Sequence, residues 1–450
     1  MKNTQKLSSR TVDIIALSAK SRHAMRAKLN EFAAGADECT RIQEKCRRAR
    51  TAFSNEDACR LLCVMEPAAE IGATINQCLY YLENDPAVNW RQENIFFGEN
   101  RNKEKIGLVF PGQGSQYTHM GADLLNWYPE SRALLRAAET AGDPPLQLFS
   151  VIYPPPAGNK PQQKAQEEQL RQTELAQPAI GAMSLTMLEL LSHFSVFPDA
   201  VCGHSYGELT ALYAAGRIER NDFLRLSVAR GRFMAAAGQQ GDAGRMMAIK
   251  APIREIPELI SNYGLDLVLA NRNSPDQGVV SGPSEEIEKM LAICRKNHIR
   301  ALQLPVSAAF HSRLVESAAR PFRQLLETVA FKSSDIPVFA NTTGRPYPPD
   351  PGAARQLLGH HLLNPVNFTD DIETMTTEDV GTFIEVGPKA ALTGLIRSIL
   401  KERGHIAIAV NGSSGKQSSV TDLACALCQL AAAGHYVNLA QWPTGPRLTP

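Results

Sequence analysis

No sign of charge dominates this chain: 47 Lys and Arg are matched by 46 Asp and Glu, for a formal net charge of +1. A balance so close to neutral gives no global electrostatic case for a nucleic acid or an anionic membrane as partner. No uninterrupted apolar run reaches the ~18 residues that mark a membrane-spanning helix. The opening Met1-Lys2-Asn3-Thr4-Gln5-Lys6 has no apolar signal core behind it. The nine cysteines are odd in number and spread over 450 residues, which excludes a small disulfide scaffold and fits reduced thiols in a cytosolic protein. Cys39, Cys46, Cys59, Cys63 and Cys78 crowd towards the N-terminus, but none forms a C-x-x-C knuckle and only His23 lies near. No metal site is therefore expected. What is present is a 44% hydrophobic, 21% charged chain, long enough for a large core and more than one domain.

The most informative stretch is Val201-Cys202-Gly203-His204-Ser205-Tyr206-Gly207-Glu208. It reads as the end of a buried strand, a sharp turn and the start of a helix, with Gly two residues either side of Ser205. That is the G-x-S-x-G pattern of a nucleophile elbow. A serine on a strained strand-to-helix turn needs neighbours with little side chain, and the turn brings its hydroxyl to a helix N-terminus where N–H groups hold a developing oxyanion. Taken alone, the same residues also describe a Gly-rich turn with an ordinary serine.

Along the chain, residues 1–105 open with a short strand at Val12–Ala19, followed by helical patterns over about 21–34 and from about 57 through the 60s. The basic run Arg41–Arg50 reads as a solvated helix face. Ile106–Phe110 is a buried-strand pattern running into Pro111-Gly112-Gln113-Gly114-Ser115-Gln116, either a plain turn or a loop that brings backbone N–H groups to a ligand. Gln177-Pro178 starts a long apolar helix, its Pro suiting a first turn. A helix over Arg220–Ala237 carries Arg225, Arg230 and Arg232. From 243 the rhythm becomes β-α-β-β-α-β, with strands near 246–249, 265–270, 278–281 and 301–304, the ferredoxin-like order. Strands at Pro337–Asn341, Thr382–Val386 and Ile406–Val410 then alternate with helices, which argues a parallel sheet covered on both faces. A last helix carries Cys425 and Cys428 as core residues, and an extended end follows with Trp442.

Several pieces stand together in one order: Phe110-Pro111-Gly112-Gln113-Gly114-Ser115-Gln116, Gly203-His204-Ser205-Tyr206-Gly207-Glu208, Ala229-Arg230-Gly231-Arg232-Phe233-Met234, Asn271-Arg272-Asn273-Ser274-Pro275, Ala309-Phe310-His311-Ser312 and Glu385-Val386-Gly387-Pro388. Over about 105–415 the chain resembles the malonyl-CoA:acyl-carrier-protein acyltransferase family, in the form found as a domain of polyketide or polyunsaturated fatty acid synthases. The resemblance implies an α/β-hydrolase-like parallel-sheet core over 106–242 and 307–415, with a ferredoxin-like subdomain inserted at 243–306. It further implies an N-terminal α/β linker domain over 1–105, of the kind that follows a ketosynthase, and a post-acyltransferase linker over 416–450. No ketosynthase cysteine motif and no Asp-Ser-Leu motif of a carrier protein is seen, so one excised domain with its flanks is expected, with a free-standing enzyme as the alternative.

The resemblance also distributes roles. Ser205 is the candidate nucleophile, activated by His311 as base. The family orients this base by a backbone carbonyl, here matched to Asn367. Gln113 and Tyr206 would donate backbone N–H groups to the oxyanion, at roughly 3 to 4 kcal/mol of barrier each. Arg230 would grip the free carboxylate of a malonyl group, because a planar guanidinium matches a carboxylate bidentately. Phe310, Met234 and His204 would line the acyl pocket. Phe310 narrows it against an α-branch, and His204 either meets the thioester and pantetheine arm or packs. His360 and His361 read as structural. Tyr206, bulkier than the residue common after the nucleophile, resembles iterative synthases of the enediyne or polyunsaturated type. The implied substrate is malonyl-CoA, with no permanently bound cofactor. The implied partners are the phosphopantetheine arm of an acyl carrier protein and the other domains of a parent synthase. A hydrolase clearing carriers and a non-catalytic docking module are the alternatives.

Overall fold

The computed structural model describes residues 12–34, 39–66, 70–100, 104–239 and 241–443. The opening Met1–Lys6 and the end beyond 443 lie outside them. Six strands form the central sheet, in the order Arg345–Pro346, Val338–Ala340, Ala200–Gly203, Lys105–Phe110, Val380–Pro388 and Ile406–Asn411. All pair in parallel except the first, which is antiparallel. The inner strands are largely apolar without alternation because each face meets its own core. Leu108, Val201 and Val386 face one cluster, while Val109, Cys202 and Phe383 face the other.

Register decides what meets at the sheet's carboxyl end. Phe110 pairs with Gly203, and Phe339 pairs with Cys202. Three chain segments therefore leave the sheet side by side: the loop after Phe110, the elbow after Gly203, and Ala340-Asn341. In open α/β sheets this is where ligands bind.

Beside this sheet sits a four-stranded antiparallel sheet in the order Arg300–Gln303, Arg245–Lys250, Gln277–Gly282, Val268–Ser274. Helices Glu255–Asn262 and Ser284–Lys296 cover it, around a core of Met247, Ile249, Val280 and Met290. This is the expected ferredoxin-like order. Its second strand lies further along than the 265–270 pattern implied and carries Asn271 and Asn273.

The N-terminal unit is a third sheet, antiparallel, in the order Asp13–Ala19, Cys59–Met65, Ile95–Glu99, Asn89–Gln92. Here the expected helix over the late 50s and 60s is a strand. Leu62 and Val64 face the main core while Leu61 and Cys63 face the helices of the N-terminal unit, so burial on both sides leaves an apolar run with no period to read. The basic run is also less uniform than expected. Arg47 and Arg48 are on the surface, but Arg50 is buried, pairs with Asp13 and reaches the Ile14 carbonyl at 3.0 Å. The long apolar helix runs Thr173–His193, so Pro178 sits inside it rather than in its first turn. No helix among the described residues is long and apolar enough to cross a membrane.

The chain's far end locks this unit to the core. Trp442 is 2% exposed. Its indole N–H donates to the Val12 carbonyl at 3.2 Å, and its ring lies 4.9 Å from Trp127 and 5.8 Å from Phe194. Trp442→Ala is expected to cost about 3–5 kcal/mol, read as a lowered midpoint in denaturant unfolding.

Candidate active site

The strand Ala200–Gly203 turns through His204, Ser205 and Tyr206 into the helix Gly207–Ala214. Ser205 has φ +50°, a conformation a β-carbon resists. The flanking glycines are demanded by space. A β-carbon on Gly203 would lie 2.0 Å from the Gly207 carbonyl carbon, and one on Gly207 would lie 1.9 Å from the Phe110 oxygen. The turn is thus pressed against the neighbouring strand and holds the Ser205 hydroxyl clear of it.

That hydroxyl meets two groups. Its Oγ lies 2.8 Å from His311 Nε2 and 3.3 Å from an Nη of Arg230, which donates to it. His311, too, has a positive φ, of +60°. Its Nδ1 faces the Asn364 carbonyl at 2.9 Å and the His361 carbonyl at 3.3 Å. The acceptor is therefore not Asn367, as expected. The Asn367 carbonyl is consumed by the Asp371 N–H in the first turn of the helix Phe368–Thr377, and its own N–H donates to the Asn341 carbonyl. Asn364 follows the short turn His361–Leu363 in extended backbone, which leaves its carbonyl free. With Nδ1–H held by carbonyls, Nε2 is the proton acceptor towards Ser205. Burial, reinforced by the Arg230 cation, lowers the His311 pKa to about 3, so the imidazole is neutral through the physiological range.

Arg230 comes from the helix Arg220–Ala237 and is 1% exposed. Among the described residues no carboxylate lies within ion-pair distance of it, and its Nε has no hydrogen-bond partner. Burial lowers its pKa to about 10, which leaves it charged at neutral pH. Its guanidinium carbon stands 5.9 Å from the Tyr206 ring centre, within cation–π range. The bulk of Tyr206 is accommodated by Gly181, where a β-carbon would lie 2.2 Å from the phenol oxygen; that oxygen donates to Ser227 Oγ at 2.8 Å.

The Gln113 loop closes the site from the adjacent strand. A β-carbon on Gly112 would lie 2.4 Å from the His204 carbonyl oxygen and 3.6 Å from the Tyr206 amide nitrogen. Among the described residues neither the Gln113 nor the Tyr206 N–H is engaged. Two free donors beside one serine can receive an oxyanion. The Gln113 side chain donates to Thr173 Oγ1 at 3.1 Å, and the loop lines a cavity of about 920 Å³ together with Arg171, Val306 and Lys389.

Of the remaining expected residues, Phe310 and Met234 are both buried, Phe310 immediately before His311 and Met234 one helical turn after Arg230. Met234 Sδ receives the Gln177 amide at 3.3 Å. His204 bonds Asn273 across the seam to the ferredoxin-like sheet at 2.7 Å and meets Phe368 edge-on. Three neighbours of the site are not singled out by the sequence reading. They are Asn364 and His361, which act through carbonyls, and Asn341, whose Oδ1 accepts the Ser205 N–H at 2.8 Å. An asparagine closing an apolar strand is the only signal for the last.

Residues 108–425 match the model of the acyl transferase domain family. The chain is 32% identical over 309 residues to the malonyl CoA-acyl carrier protein transacylase of Bacillus subtilis, covering 68% of this chain and 93% of that protein. It is 31% identical over 399 residues to a polyunsaturated fatty acid synthase polypeptide of a Thraustochytrium species, covering 84% of this chain but only 14% of that much longer protein. The acyltransferase domain from the second module of the salinomycin polyketide synthase superposes with a TM-score of 0.72 at 25% identity, over 94% of each chain. With the family model matched over well more than half of the chain, and a relative above 30% identity aligned over nearly its whole length, this chain belongs to the acyl transferase domain family.

Proposed function

We propose that the chain transfers malonyl units from malonyl-CoA to the phosphopantetheine thiol of an acyl carrier protein, through an ester on Ser205. The observation that carries the malonyl assignment is the buried Arg230 guanidinium, charged, without a carboxylate partner, and bonded to the nucleophile's own oxygen. A buried cation of this kind is costly unless an anion joins it. A free carboxylate two carbons from the thioester carbon would do so while presenting that carbon to Ser205. A relative named for this transfer aligns over 309 residues of the chain.

The distances around Ser205 support the following steps. His311 Nε2 takes the Ser205 proton as the oxygen attacks the thioester carbonyl. The N–H groups of Gln113 and Tyr206 receive the oxyanion. Its collapse breaks the carbon–sulfur bond, and the proton on His311 passes to the departing CoA sulfur. In the return half, a carrier thiol gives its proton to His311, its sulfur attacks the ester, and Ser205 leaves with that proton. The N-terminal unit and the end past 415 would serve as the linkers that seat the domain in a synthase beside a ketosynthase.

Mixing the protein with malonyl-CoA is expected to add the mass of one malonyl group, absent in Ser205→Ala. The adduct should persist until carrier protein is added. An adduct that water clears as fast as carrier does would instead mark a hydrolase, and no adduct with any acyl-CoA would mark a docking module.

A further inference from the structure

We infer that Asn341 is a positioning residue for the nucleophile, a single amide that clamps both arms of the elbow. Its Oδ1 accepts the Ser205 N–H at 2.8 Å. Its Nδ2 donates to the Gly203 carbonyl at 2.6 Å and to Asp371 Oδ2 at 2.7 Å. Its own N–H donates to Glu208 Oε2 at 2.9 Å, and its carbonyl accepts the Asn367 N–H at 2.9 Å. Asn341 is completely buried, and both its backbone and its side-chain polar groups are spent.

The position follows from the sheet. Val338 and Phe339 pair in parallel with Val201 and Cys202, so the residue two past Phe339 emerges beside the turn that follows Gly203. The amide's chemistry then fits what the turn leaves over. A carbonyl at the end of one arm needs a donor, and an N–H at the strained residue needs an acceptor. Only a primary amide of this length offers one acceptor and two donors in one plane. Glu208 lies in the first turn of the helix after the elbow and Asp371 on the helix Phe368–Thr377. Asn341 therefore ties the strand, the strained serine and two helices at one point.

The functional consequence concerns the neighbouring amide. Binding the Ser205 N–H into Asn341 fixes the peptide plane before Ser205, and the Gly203 bond fixes the one after Gly203. With both planes held, the turn enters Ser205 in one orientation, from which its hydroxyl and the following Tyr206 N–H are presented. That leaves the Tyr206 N–H, rather than that of Ser205, facing the site. The inference rests on Ser205 being the acylated residue, as proposed above.

The test is single-turnover acylation by malonyl-CoA, scored by intact mass, in Asn341→Ala and Asn341→Asp. Asp keeps the shape and the acceptor for Ser205 but loses both donors. Both variants are expected to acylate about 10²- to 10³-fold more slowly, the range for misplaced reacting groups and lost oxyanion donors. Half-saturation for malonyl-CoA should stay within about threefold, because the carboxylate and thioester contacts are intact. Reaction with a small fluorophosphonate, which needs only the elbow and base, should slow in parallel. A folded variant that acylates at the wild-type rate overturns the inference, as does one whose loss lies in half-saturation alone. If neither variant folds, Asn341 is a determinant of the fold and the inference also fails. Absence of acylation in the wild-type protein would instead sink the assignment of Ser205.

Discussion

Arg230→Ala is expected to slow malonyl loading of Ser205 by about 30- to 5,000-fold, the range for truncating one partner of a buried hydrogen-bonded charge pair. Acetyl loading should fall far less, so the preference for malonyl over acetyl collapses. The size of the effect follows from where the guanidinium sits. It is 1% exposed, has no ion-pair partner among the described residues, and one of its nitrogens is 3.3 Å from Ser205 Oγ. A carboxylate arriving there breaks no ion pair among the described residues. Arg230→Lys should recover only part of the loss, since an ammonium keeps the charge but lacks the planar fork. Competition between malonyl-CoA and acetyl-CoA, read as the ratio of the two acyl-enzyme masses, measures this directly. An unchanged ratio would remove the clamp.

His311→Ala is expected to lower the acylation rate about 10²- to 10⁴-fold, the usual share of a positioned general base. The pH dependence distinguishes a lost base from a damaged fold. The base works only when neutral, so its rate is lost as pH falls through its pKa. Burial, then the Arg230 cation, lowers that pKa to about 3. Wild-type acylation should therefore hold level from neutral pH down to about pH 5, where an ordinary histidine, at about 6.5, would already be protonated. Arg230→Ala removes one of the causes that lower it and should move the acid limb to higher pH. Initial rates of acyl-enzyme formation across that interval check both statements. A wild-type rate that halves near pH 6.5 would mean the imidazole is not held neutral as described.

The sequence yields the residues whose chemical type is itself the requirement. Ser205 between two glycines is readable because the turn has no room for β-carbons at 203 and 207. Arg230 and His311 are readable through the resemblance, and the distances agree with it. What escapes is set by backbone geometry. The carbonyl facing His311 belongs to Asn364 rather than Asn367 because the helix that starts at Phe368 takes the Asn367 carbonyl into its first turn. No side chain records that choice. Asn341 escapes because its importance depends on the register between Val338–Ala340 and Ala200–Gly203, a pairing more than a hundred residues apart in sequence. The strand Cys59–Met65 passes for a helix because both its faces are buried, which erases the alternation that separates the two.

The fold itself is more accessible, for a related reason. Alternating strand and helix patterns over 106–242 and 307–415 match a parallel sheet, and the change of rhythm near 243 matches the inserted ferredoxin-like sheet. The attachment of the N-terminal unit to the core has no local signal. It depends on contacts across almost the whole length of the chain: the Trp442 indole meets the Val12 carbonyl, and Arg50 meets Asp13 and the Trp442 carbonyl.

The measurement that bears most directly on this account is a peptide map of the protein after brief exposure to malonyl-CoA, followed by a chase with carrier protein bearing its phosphopantetheine arm. The account predicts a malonyl ester on Ser205 that disappears as a malonyl thioester appears on the carrier. A malonyl group found on another residue, or one that leaves Ser205 without reaching the carrier thiol, would contradict it.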